Sequence, residues 1–125
     1  MRTKQARTRS SRPTKPVDAV RRELLENEEV LVVETQYPVG STVEMHEHRY
    51  PHVIYVIEVG TIETTDPAGV PTLHDLLPGE TLWTGPQSHS SRNVGRSPVR
   101  VVEIEVKKGT FDGKAPKSTA TLDFP

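Results

Sequence analysis

Four of the five histidines in this 125-residue chain fall in two short segments of strand-like composition, and three of them, His46, His48 and His89, have the spacing of a shared site. His46 and His48 stand two residues apart inside GSTVEMHEHRYPHVIYVIEVG (40–60), a stretch rich in Val, Ile, Tyr and Thr. Residues i and i+2 of a β-strand point to one face, so both imidazoles look into one space. His89 arrives in a second segment, GETLWTGPQSHSSRN (79–93). Neutral imidazole suits Zn, Ni, Cu or Fe, and Mn is the carboxylate-leaning member of the same series. His46, His48 and His89 are therefore predicted as three facial ligands of a divalent transition metal, leaving positions open for water, O2 or substrate.

The neighbours of these histidines extend the candidate site. His52 follows the break at Pro51, which leaves its facing open between a fourth ligand and a pocket wall or exposed residue. Glu44 shares the alternation face of His46 and is a candidate carboxylate. Gln87 lies two residues before His89 and faces the same way, where its amide could hydrogen-bond a group held at the metal. Tyr55 and Trp83 are candidates for the pocket or for core packing. The catalytic candidates are thus Gln87, Tyr55 and Glu44. His74, beside Asp75, reads as a surface residue, and Asn93 as the closure of a turn before Gly95.

The elements that must position these groups are short strands. EVLVVETQYP (29–38) is β-branched and ends at a Pro38-Val-Gly40 turn. HVIYVIEV (52–59), TIETT (61–65), VPTLHDL (70–76), ETLWT (80–84), QSHSSRNV (87–94) and VRVVEIEV (99–106) follow, with Gly, Pro or Asp between nearly every pair. Eight or nine strands at this spacing predict an all-β jelly-roll barrel over residues 30–107. Before it, Val17, Val20, Leu24 and Leu25 recur at helical spacing, which predicts a short helix over 17–29. Residues 1–16 contain almost no large apolar side chain and read as an extended basic arm. Residues 108–125 form a polar tail.

Composition narrows the function classes. The net charge of −1 hides a segregation: residues 1–22 hold eight of the sixteen Lys and Arg with one acid, Asp18. The remainder carries sixteen acids and eight bases, a basic arm on an acidic body. Without interleaved aromatics the arm is not a nucleic-acid binder, and contact with a second copy, hence a homodimer, is its expected role. There is no cysteine, which excludes disulfides and thiolate ligands. No apolar run reaches the length of a membrane span and no signal-peptide core precedes the body, so a cytoplasmic location is expected. No phosphate-binding glycine loop or serine nucleophile elbow occurs.

The spacing of these residues resembles the cupin superfamily. Gly40, five residues, His46-Glu47-His48 and a closing Gly60 follow the first cupin motif, and Gly79, Gly85-Pro86 and His89-Ser-Ser-Arg-Asn93 follow the second. The likeness spans about residues 30–107 and is similar to short single-domain cupins connected with β-alanine degradation. It implies a double-stranded β-helix and a divalent metal. The family's carboxylate ligand would fall near residue 52 or 53, where this chain has His52 and Val53. The expectation is a small metal-dependent enzyme, of dioxygenase or isomerase type, on a small organic substrate. The alternative is a non-catalytic cupin that binds a small molecule or metal.

Overall fold

The computed structural model describes residues 17–108, and within them nine strands and no helix. In chain order they are β1 (Val20–Glu26), β2 (Val30–Tyr37), β3 (Thr42–His48), β4 (His52–Glu58), β5 (Gly60–Thr65), β6 (Pro71–Leu76), β7 (Thr81–Thr84), β8 (Gln87–Asn93) and β9 (Val99–Val106). A five-stranded sheet has the order β1-β2-β9-β4-β7, and a four-stranded sheet has the order β3-β8-β5-β6. Every ladder is antiparallel. This is the jelly-roll architecture that the strand spacing predicts.

The predicted helix over 17–29 is instead strand β1. Val20–Glu26 pairs with β2, with a register shift between Glu23 and Leu25. The open edge of the β-branched strand β2 offers a full row of backbone partners, and that pairing overrides the helical spacing of Val17, Val20 and Leu24. All seven residues of β1 stay exposed, as the outer strand of its sheet. The sheet therefore begins at Val20 rather than at residue 30. The basic arm at 1–16 and most of the tail, from residue 109, lie outside the described residues.

The space between the sheets is apolar at one end and polar at the other. Val56, Ile62, Val99 and Val101 form a buried cluster, with Tyr37, Ile54, Val59 and Leu76 packed against it. Along β9 the inward residues run Val99, Val101, Glu103, Glu105, so one strand face changes from aliphatic to acidic halfway. Along β4 the same change runs from Val56 through Ile54 to His52, which is fully buried. Gly40, at a φ of 79°, makes the turn that carries the chain from β2 into β3 and its histidines.

Candidate metal centre

Strands β3 and β8 are neighbours, and their register sets His46 directly opposite His89 and His48 opposite Gln87. The three predicted imidazoles converge: ring centroids lie 4.6 Å apart for His46 and His48, 4.8 Å for His46 and His89, and 5.0 Å for His48 and His89. One ligand nitrogen from each lies within 4.8 Å of the others, close enough for one ion to reach all three.

The second nitrogens show how the rings are aimed. His46 Nδ1 donates to the Glu44 carbonyl at 2.7 Å, which leaves its Nε2 with a lone pair. That Nε2 faces His48 Nε2 at 2.9 Å. His48 Nδ1 is buried without a hydrogen-bond partner, and the nearest group to it is the Glu105 carboxylate at 3.5 Å. An imidazole backed by a carboxylate, with its other nitrogen turned toward a second imidazole, is the arrangement of a metal-ligating histidine. Burial, and then the neighbouring His52 and His46, push His48 down to about 3. Burial, and then His46, push His89 down to about 4. Both rings are neutral at physiological pH, the form that coordinates a cation. The donor set fits a divalent transition metal.

His52 stands beside this trio rather than within it. Its ring stacks on His48 with centroids 4.5 Å apart. Its Nδ1 donates to the Tyr50 carbonyl at 3.0 Å, and the Thr84 hydroxyl sits 3.1 Å from its Nε2. With His48 and Glu103 it forms a second group whose ligand atoms lie within 4.8 Å of one another. Glu103 was not anticipated, although strict alternation from Val99 and Val101 along β9 carries the signal. No hydrogen bond or ion pair holds its carboxylate among the described residues, and burial pushes its carboxyl above the usual carboxylate range. It places a carboxylate beside His48 and His52, in a group separate from that of His46 and His89.

The other candidates divide by facing. Gln87 lines the cavity as predicted, and its amide donates to Thr84 Oγ1 at 3.0 Å. Glu44 does not reach the site. Between Val43 and His46 strand β3 carries one residue more than β8, a bulge that turns both Glu44 and Met45 outward to solvent. Only the Glu44 backbone serves the site, through its bond to His46. Tyr55 is on the outer face and 45 % exposed, because His52, Ile54 and Val56 take the inward positions of β4. Trp83 likewise lies between the cavity-lining Leu82 and Thr84. His74 is not a surface residue. It lines the cavity and meets Thr64 Oγ1 at 3.0 Å across the β5–β6 hairpin. Asn93 closes its turn as expected, its Oδ1 accepting the Gly95 amide at 2.9 Å.

His46, His89 and His74 line a partly enclosed cavity of about 290 Å3 between the sheets. This is just below the ~300–1,000 Å3 range of drug-sized sites and suits a small metabolite. Its walls are aliphatic at Val43, Ile54, Ile62, Leu76, Leu82 and Val101, and polar at the histidine end.

No family model matches the sequence, and no curated protein matches it. Solved structures do match. A cupin domain from Bordetella pertussis Tohama I is similar at 25% identity with a TM-score of 0.71, over 76% of this chain and 99% of that one. A protein with a double-stranded β-helix domain from Klebsiella pneumoniae is similar at 22% identity with a TM-score of 0.60, over 82% of this chain and 91% of that one. The DMSP lyase DddQ from Ruegeria pomeroyi DSS-3 shares the fold at 14% identity with a TM-score of 0.56, over 82% of this chain and 52% of that one. Two facing antiparallel sheets, adjacent histidine strands and these likenesses place the chain in the cupin superfamily.

Proposed function

We propose that this chain is a metal-dependent cupin enzyme acting on a small organic molecule. In this reading His46, His48 and His89 hold the ion, Glu103 completes the set, and His52 braces His48 from behind. One observation supports it above the rest: two ring nitrogens meet at 2.9 Å while the far nitrogen of each ring is turned to a fixed oxygen group, the Glu44 carbonyl and the Glu105 carboxylate. Glu103 is favoured over His52 as fourth ligand because the Nε2 of His52 already meets a hydroxyl, whereas the Glu103 carboxylate is unengaged. A bound divalent transition ion would supply Lewis acidity and, if redox-active, O2 chemistry, the basis of isomerase- or dioxygenase-type reactions.

The chain's own groups do the rest. Burial keeps His48 and His89 neutral, the Gln87 amide is held by Thr84 on the cavity wall, and the aliphatic walls exclude water from the reacting end. Exposed Val17, Val20, Leu24 and Leu25 on and beside the outer strand β1 support a homodimer that covers this edge. A monomeric mass in light scattering would contradict that assembly.

The activity is tested by loading the protein with iron, copper or zinc and screening small carbonyl, enol and carboxylate compounds by mass spectrometry. Conversion by the wild type and only traces by His89→Ala support the proposal. Bound metal with no conversion across the panel favours a non-catalytic binding module.

A further inference from the structure

Arg21 and Arg22 are adjacent on β1 and have opposite fates. Arg22 reaches the outer face, where its guanidinium lies 3.2 Å from the Glu34 carboxylate, with Arg100 on the same carboxylate at 2.9 Å. Lys107 is likewise paired, with Glu26. Arg21 pairs across the ladder with Thr35 and turns to the inner face, where it lines the cavity. It is the only Lys or Arg among the lining residues, and no ion pair or hydrogen bond engages its guanidinium among the described residues.

Two acids, Asp66 and Glu103, share the cavity lining with Arg21. Asp66 accepts the amides of Ala68 and Val70, both at 2.9 Å, and so caps its own turn. Glu103 groups with His48 and His52 and lies within electrostatic reach of Arg21, although no ion pair joins the two among the described residues. A single cation without an ion pair therefore lines a cavity of about 290 Å3 whose other walls are aliphatic side chains and the imidazoles of His46, His74 and His89. An arginine fork matches a planar, singly charged carboxylate with two parallel hydrogen bonds. A phosphate dianion calls for more donors than this one side chain provides. Tyr37 on β2 and Ser91 on β8, both in the lining, share a hydroxyl hydrogen bond of 2.9 Å from one sheet to the other that a bound oxygen could join.

We infer that the cavity takes a small organic carboxylate, its carboxylate clamped by Arg21 and its other end directed toward His46 and His89. This rests on the proposed reading of the cavity as a substrate site and adds the class of substrate. The aliphatic walls select a short carbon chain.

The test is calorimetric titration of the full chain, metal-loaded and metal-free, with propanoate, butanoate and pentanoate, each against its primary amide. The acids bind more tightly than the amides by roughly tenfold, the scale of one charge-assisted hydrogen bond. Arg21→Gln removes that preference and keeps the wild-type metal content; Arg21 is exposed on an outer strand, so the fold tolerates the change. Equal binding of acids and amides, no binding of either, or a preference that survives in Arg21→Gln because the acid goes to the ion would each overturn the inference. Because the metal-free protein is titrated in parallel, a failure of the metal reading leaves the Arg21 result intact and legible.

Discussion

The two ends of the barrel bury polar groups in opposite ways. At the aliphatic end Asn93 is 1% exposed and each polar atom of its side chain has a partner: Nδ2 donates to the Tyr37 and Ser97 carbonyls at 3.0 and 2.8 Å, and Oδ1 accepts the Gly95 amide. At the other end His48 is 3% exposed, its Nδ1 has no hydrogen bond, and its Nε2 points at another nitrogen. Buried polar groups are ordinarily satisfied, because leaving one unpaired costs the full desolvation penalty. Asn93 obeys that rule and is structural, while the Ser41 hydroxyl beside it is buried without a partner. His48 breaks the rule at Nδ1, and what sets it apart from Ser41 is the cluster of imidazoles around it, a set of groups able to hold an ion.

The largest effect lies at the aliphatic end. Asn93→Ala strands two carbonyls and an amide, and should lower unfolding stability by about 3 kcal/mol in denaturant titration while metal content stays at the wild-type level. A loss of metal in that variant would erase the contrast. At the other end Glu105→Gln removes the charge behind His48 Nδ1. Metal affinity should fall on the order of 10–100-fold, read by competition with a chromophoric chelator, with the fold retained.

The pH dependence sharpens the same contrast. His48 at about 3 and His89 at about 4 both titrate below their ordinary 6.5 in the folded protein. The unfolded chain therefore binds more protons than the native one across the interval from pH 4 to 6.5. Stability of the metal-free protein is whole above that interval and falls as pH drops through it. A melting temperature that stays flat across this range would count against the buried neutral histidines. The smallest effect belongs to the outer face, where Tyr55→Phe should change stability by less than about 0.5 kcal/mol and leave metal affinity alone.

Much of this arrangement was legible in the amino-acid sequence, because alternation is a local property. His46 and His48 share a face by spacing alone, and turn residues between β-branched runs mark the strands. What was hidden depended on pairing across the fold. The extra residue between Val43 and His46 exists only relative to β8, so Glu44 could not be seen turning away. Residues 52–59 are apolar on both faces, which concealed that Tyr55 faces out once His52 faces in. Glu103 and Glu105 alternate inward behind Val99 and Val101, yet acids in a hydrophobic strand read as solvent-facing until both sheet neighbours of β9 are known. Helical spacing in residues 17–25 lost to the open edge of β2 for the same reason.

The central claim is that the imidazole end of the barrel is a metal centre. It is tested most directly by elemental mass spectrometry of the full chain, purified without an affinity metal column, alongside His48→Ala. About one Fe, Ni, Cu, Zn or Mn per chain in the wild type, and most of it lost in His48→Ala, is the result predicted here. No metal bound or taken up on reconstitution, or full retention of metal in His48→Ala, would contradict it.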